Sequence, residues 1–264
     1  MSNIIKETIK ETYTNALESD AGCGCAPTCC SPSDSDSGSF AEDYSQLEGY
    51  NPDADYGLGC GLPTESAFIK PGDTVLDLGS GAGNDVFVAR RTVGEKGKVI
   101  GIDMTTAMIE KANENKAKLG YNNVEFILGD IEEMPIPSEQ IDVVISNCVL
   151  NLVEDKAKTY KEIYRVLKPR GRFSISDVVT TGALTKEMSA VVDLYAGCVA
   201  GAMVKENYLD VIKDAGFKDI KVEKEKAVYL PDDFLRRYLT KQELNEFRAT
   251  NVEVLSVTVT GYKD

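Results

Sequence analysis

The sequence predicts an α/β fold, a doubly wound, mostly parallel sheet with helices on both faces. Three observations carry that expectation. From about residue 70, apolar runs of strand length alternate with segments of helical periodicity. The first run opens into a glycine loop, Gly79-Ser-Gly-Ala-Gly83, that leads into a helix. Acidic residues (Asp77, Asp103 and Asp130) recur in and after the first three runs. A chain of 264 residues suits one such domain with additions.

Ile5, Ile9, Tyr13 and Leu17 recur every fourth residue and predict a weakly amphipathic helix over 3–18. A cysteine cluster follows, and then Ser31-Pro-Ser-Asp-Ser-Asp-Ser-Gly-Ser39, a polar stretch with no means of forming a core. Beyond Tyr44, Tyr50 and Tyr56 comes a glycine-dense loop, Gly57-Leu-Gly-Cys-Gly-Leu-Pro63. Strands are expected at Thr74–Leu78, Lys98–Asp103, Val124–Leu128, Ile141–Ser146 and Arg172–Val179. Helices are expected at Asn84–Val93, Ala107–Leu119 and Lys156–Leu167, the last stopped by Lys168-Pro-Arg-Gly171. Residues 183–203 break the rhythm. A helix at Glu206–Ala215, a strand around Ile220–Val228 and an alternating tail at Val252–Tyr262, read as a closing strand, resume it.

A net charge of −14 repels phosphate backbones and anionic membrane surfaces, which argues against both as partners. No run has the length and apolarity of a membrane span, and Met1–Lys10 lacks the apolar core of a secretion signal. The expected location is the cytoplasm, where thiols stay reduced and clustered cysteines serve metal or redox chemistry. Histidine is absent, so a reactive site has thiolates and carboxylates to work with, a donor set suited to a soft electrophile. Four of the seven cysteines, Cys23, Cys25, Cys29 and Cys30, lie close together, whereas Cys60, Cys148 and Cys198 stand alone.

The run Val75-Leu-Asp-Leu-Gly-Ser-Gly-Ala-Gly83 spaces its glycines G-x-G-x-G, not G-x-G-x-x-G, and carries Asp77 ahead of them. A carboxylate there is a poor neighbour for pyrophosphate and a good one for an ammonium or sulfonium. Asp103 ends the second strand, where it can accept from both ribose hydroxyls, and Asp130 follows the third, where it can accept from an adenine amine. Together these features point to an S-adenosylmethionine site. The bland alternative makes Asp103 and Asp130 turn residues and Asp77 a helix cap. The expected donor-binding set is Asp77, Gly79, Ser80, Gly81, Gly83, Asp103, Met104, Asp130, Ile131 and Asn147.

The stretch from Val75 to Asp130 resembles the Rossmann-like core of class I S-adenosylmethionine-dependent methyltransferases. Four further segments resemble the arsenite methyltransferases in order and spacing: 56–63 (YGLGCGLP), 93–105 (VGEKGKVIGIDMT), 146–153 (SNCVLNLV) and 195–202 (YAGCVAGA). The likeness spans roughly residues 1–230. It implies a cysteine-bearing arm at 1–66, a methyltransferase domain at 67–230 with an arsenic-binding cap at about 183–203, and an extension at 231–264 that closes the sheet.

It also implies that Cys148, Cys198 and Cys60 bind trivalent arsenic as thiolates, leaving its lone pair free to attack the donor methyl. A fourth cysteine, Cys30 by spacing or else Cys29, would form a disulfide with Cys60 that a small thiol or thioredoxin-type reductant reopens. Cys23 and Cys25 would then capture incoming arsenic. The resemblance thus implies arsenite and methylated arsenicals as substrates and no tightly bound metal cofactor, and a monomer is expected. Other readings stay open at this point. A lone cysteine is often a small buried hydrophobe. Cys23–Cys30 could hold zinc, although the spacing is unusual for it. Tyr44, Tyr50 and Tyr56 could line a pocket or pack beneath a cap, and the pairs Glu132-Glu133 and Asp232-Asp233 read as solvated surface. An organic acceptor, such as a quinone ring carbon or a thiol, is the enzymatic alternative, and a thiol-based arsenic-sequestering protein the non-enzymatic one.

Overall fold

A computed structural model of the chain describes residues 2–18, 42–184, 201–229 and 232–264. Cys23, Cys25, Cys29, Cys30, Cys198 and most of the expected cap lie outside them. The elements are α1 (Ser2–Glu18), α2 (Pro63–Ser66), β1 (Thr74–Leu78), α3 (Asn84–Val93), β2 (Lys98–Asp103), α4 (Thr106–Leu119), β3 (Val124–Leu128), β4 (Ile141–Asn147), α5 (Lys156–Val166) and β5 (Leu167–Thr180). After these come β6 (Met203–Val204), α6 (Lys205–Asp214), β7 (Lys218–Val228), α7 (Asp232–Leu235), α8 (Lys241–Ala249) and β8 (Val254–Tyr262).

The sheet runs β3-β2-β1-β4-β5-β8-β7, with β6 paired to the far end of β5. The pairs from β3 through β5 are parallel, and β8 is antiparallel to both of its neighbours. The alternation of side chains along each strand feeds two cores. Leu76, Leu78, Ile100 and Ile102 turn to the face packed with Tyr160, Ile163, Tyr208 and Ile212 of α5 and α6. Val75, Val99, Val143 and Ile145 turn to the opposite face, with Val86, Phe87 and Ala89 of α3 and Met108 and Ala112 of α4. Helices on both faces meet the expectation, and parallel strands bring the carboxyl ends of β1, β2 and β4 to one edge.

The helices stop where local chemistry stops them. Gly94 and Gly120 close α3 and α4 with positive φ (69° and 67°), and the Asp155 side chain caps α5 by accepting from Lys158 N–H at 2.8 Å. The tail forms a strand where one is expected, β8, which lies between β5 and β7. Two helices absent from the sequence reading, α7 and α8, precede it. The second opens on a capping box in which Thr240 and Glu243 exchange hydrogen bonds of 2.7 and 3.3 Å. Glu132 is also not solvated surface. It is 6% exposed, paired with Lys6, and accepts from Asp155 N–H at 3.0 Å. Asp232 binds Arg248 and Arg236, and Glu133 is exposed as expected.

Candidate active site

A cleft opens at the carboxyl edge of the sheet. Its floor is the loop after β1, which turns through positive φ at Gly79 (65°) and Gly81 (52°). The Gly79 and Ser80 N–H groups both donate to Ile102 C=O, at 2.7 and 3.0 Å, tying the loop to β2. A Cβ at Gly79 would stand 2.4 Å from Val149, while one at Gly81 meets nothing nearer than Met108 at 3.9 Å. Gly79 is therefore demanded by packing, and Gly81 leaves open space facing the cleft.

Asp103 is held at the end of β2 by Gly81 N–H (3.0 Å) and Thr105 N–H (2.8 Å). Burial raises its pKa, and those two backbone hydrogen bonds pull it back down. Asp77 is buried, and desolvation, with the charges of Asp85 and Asp103 close by, pushes its carboxyl well above the usual range. A cavity that concentrates three carboxylates favours a cationic ligand. Two buried polar atoms of lining residues, Ser80 Oγ and Asn84 Oδ1, have no hydrogen-bond partner among the described residues. Orphaned polar atoms, an open glycine and clustered acids fit a polar ligand bearing a positive charge.

Of the expected donor-binding residues, Asp77, Gly79, Ser80, Gly81, Asp103, Met104, Asp130, Ile131 and Asn147 all line the cleft. Gly83 does not. It caps α3 at φ 102°, and a Cβ there would strike Phe87 and Phe126 at 2.8–2.9 Å. Asp130 is engaged by Lys6 Nζ at 2.7 Å, and Lys6, Ile9 and Tyr13 bring α1 to the cleft wall. Tyr44 and Tyr56 line the cleft as well, whereas Tyr50 packs with Leu47 against Tyr44, Leu62 and Val88.

Cys148 follows β4 directly, lines the cleft, is 4% exposed and adopts φ 61°. Cys60 is 1% exposed and lies just outside the lining, next to Gly59, which is part of it. The two cysteines share an apolar cluster with Ile9, Leu152, Val178, Leu235, Leu239, Leu244, Phe247 and Val254. The extension preceding β8 thus helps wall the thiol region. Among the described residues no group of three or more His, Cys, Asp or Glu side chains is arranged to hold a metal ion, and no helix is long and apolar enough to cross a membrane.

Sequence reasoning missed Asp85, Lys6 and Asn84. Asp85 sits in a helix first turn, where an acid reads as a generic helix signal, and nothing local ties Lys6 to Glu132, 126 residues away.

A methyltransferase-domain family matches residues 69–216. An arsenite methyltransferase of Halobacterium salinarum is 42% identical over 228 residues, covering 82% of this chain and 58% of its own length. The human arsenite methyltransferase is 40% identical over 173 residues, covering 61% and 44%. The chain therefore spans about half the length of these curated relatives. A ubiquinone/menaquinone biosynthesis C-methyltransferase of Vibrio vulnificus is 34% identical over 128 residues, 48% of each chain. Among solved structures, an arsenic(III) S-adenosylmethionine methyltransferase from Chlamydomonas reinhardtii superposes with a TM-score of 0.67 at 36% identity, covering 78% of this chain and 67% of that one. By fold, glycine loop and these similarities, the chain belongs to the arsenite methyltransferase family of class I methyltransferases.

Proposed function

We propose that the protein methylates trivalent arsenic, arsenite and then methylarsenite, with S-adenosylmethionine as donor. The observation that carries this reading is a buried cysteine, Cys148, in the wall of a carboxylate-rich cleft, with a second buried cysteine, Cys60, in the same apolar cluster. Asp77, Ser80, Gly81, Asn84 and Asp103 would hold the donor, which supplies an electrophilic sulfonium methyl group. Asp77 offsets the donor's positive charge, Asp103 accepts from its ribose, and Gly81 lets its polar chain approach the backbone.

Cys60, Cys148 and Cys198 bind arsenic as thiolates, and their softness matches the ion. Its lone pair then attacks the methyl in line. No proton leaves the nucleophile, so a chain without histidine loses nothing by lacking that base. Alignment in an apolar, water-poor pocket carries the acceleration. Methylation formally oxidises arsenic by two electrons. A pair of thiols, Cys60 with Cys30 or Cys29, returns those electrons as it closes to a disulfide, and a small thiol or thioredoxin-type reductant reopens it. On this reading the enzyme works in the cytoplasm as a monomer, with no membrane or nucleic-acid partner.

The test is purified protein with arsenite, S-adenosylmethionine and a dithiol, the arsenic species being separated by chromatography with elemental detection. Methylated arsenic from the wild type, lost in Cys148→Ser and Cys198→Ser, is the expected result. Bound donor with arsenite left unchanged would turn the reading to an organic acceptor, which the similarity to the quinone C-methyltransferase favours.

A further inference from the structure

Cys60 sits in a loop without regular structure, yet its backbone is gripped from two strands. Asn147, the last residue of β4, accepts from the Cys60 N–H at 2.9 Å and from the Gly61 N–H at 3.3 Å through one oxygen, Oδ1. Its Nδ2 donates to Gly61 C=O at 2.8 Å. On the other side, the Ser256 hydroxyl of β8 donates to Cys60 C=O at 2.5 Å. The loop lies so close that a Cβ at Gly59 would fall 2.5 Å from Asn147 Nδ2, and one at Gly61 would fall 2.5 Å from Ser176 Oγ. Ser176 C=O in turn receives the N–H of Cys148 at 2.7 Å. One carboxamide therefore fixes Cys60 relative to the very next residue along the chain, Cys148.

The carboxamide is itself locked. Asn147 Nδ2 also donates to Tyr44 Oη (2.6 Å) and lies 3.2 Å from Asp85 Oδ2, while Tyr44 Oη donates to the Asp85 carboxylate at 3.0 Å. An ionised carboxylate only accepts, so it selects the NH2 end of Asn147 and leaves the oxygen for the two loop N–H groups. A flipped amide would set donor against donor at Cys60.

We propose that Asn147 is a positioning residue that sets the spacing of the Cys60 and Cys148 thiols for a bridging trivalent arsenical, and that Tyr44 and Asp85 hold its orientation. The inference rests on the arsenic reading above and deepens it by assigning a positioning role to three residues of the cleft wall.

The test uses the full chain with Cys23, Cys25, Cys29, Cys30 and Cys198 changed to Ser, so that only Cys60 and Cys148 remain. The probe is phenylarsine oxide, whose arsenic exchanges its oxygen for two thiol sulfurs, the two S–H protons leaving with that oxygen as water. Each thiol is also alkylated singly with N-ethylmaleimide and followed by mass spectrometry. In this background one phenylarsenical should bind per chain. Tyr44→Phe and Asp85→Asn should each weaken that binding about tenfold, the worth of one hydrogen bond to a charged group. Single-thiol alkylation rates should stay near those of the parent.

Absence of phenylarsenical uptake by the two-cysteine parent would overturn the inference together with the arsenic role of the pair. Uptake unchanged in both variants would overturn the positioning role alone. Affinity and both single-thiol alkylation rates shifting together in both variants would mean general loosening, and would overturn it too.

Discussion

Lys6 Nζ stands 2.6 Å from Glu132 Oε2 and 2.7 Å from Asp130 Oδ2, so one ammonium group on α1 joins the helix to the segment after β3. The two carboxylates favour its charged form, and its pKa is raised against the opposing effect of burial. The Glu132 side chain is almost wholly buried, and losing Lys6 would take away its ion-pair partner and leave it the hydrogen bond from Asp155 N–H.

Lys6→Met should therefore loosen α1 from the cleft wall at a cost of ~1–2 kcal/mol. Hydrogen exchange of the α1 amides should rise, and donor dissociation should quicken in stopped-flow measurements. Protection of α1 identical to the wild type would refute the role of the pair.

The two loop glycines should separate stability from binding. Gly81→Ala has room for its methyl and meets only left-handed strain, about 1–2 kcal/mol. It should nevertheless impair donor binding in calorimetry, since Gly81 lines the cleft. Gly79→Ala adds a 2.4 Å collision with Val149 to the same strain and should lower the melting temperature more than Gly81→Ala.

Asp103→Ala removes an acceptor aimed at the cleft and the ligand of two backbone N–H groups. Donor affinity should fall on the order of tenfold or more. Titration calorimetry with S-adenosylhomocysteine reads this without any acceptor present. Affinity within twofold of the wild type would make Asp103 a turn residue only.

Cys60→Ser and Cys148→Ser should each reduce arsenic methylation at least about 100-fold, because a misheld nucleophile forfeits its alignment. Both should leave affinity for S-adenosylhomocysteine nearly unchanged, which distinguishes loss of the acceptor site from loss of the fold.

Asp177, wholly buried in β5, carries a carboxyl pushed up to about 7 by desolvation, against the lowering influence of Lys156 and of hydrogen bonds from Val178 N–H and Tyr208. Its folded pKa lies above the unfolded value near 4. The native state therefore holds the extra proton between about pH 4 and 7, and stability falls as pH rises through that window, levelling above it. Subtracting the stability profile of Asp177→Asn from that of the wild type should isolate this decline. A flat difference from pH 4 to 8 would show that Asp177 titrates alike in both states.

The sequence expressed the start of the sheet clearly because β1 and β2 are short, apolar and each followed by a helix with its own stop signal, Gly94 and Gly120. The glycine loop was equally plain, since its φ values and the collision at Gly79 leave little choice of residue. Glu132 was misread as solvated, because its burial depends on Lys6, contributed by a distant helix. Helices α7 and α8 escaped notice since both are short, and their apolar residues make sense only against the cluster around Cys60 and Cys148.

Local chemistry was enough to specify the strands, the caps, the acidic glycine loop and the uneven placement of the cysteines. These follow from periodicity and backbone sterics, which act over a few residues. Long-range folding settled the insertion of β8 between β5 and β7, the grip of Asn147 on Cys60, and the bridging of Asp130 and Glu132 by Lys6. A hydrogen bond across 87 residues leaves no periodic trace, because only chain closure brings donor and acceptor within 3 Å.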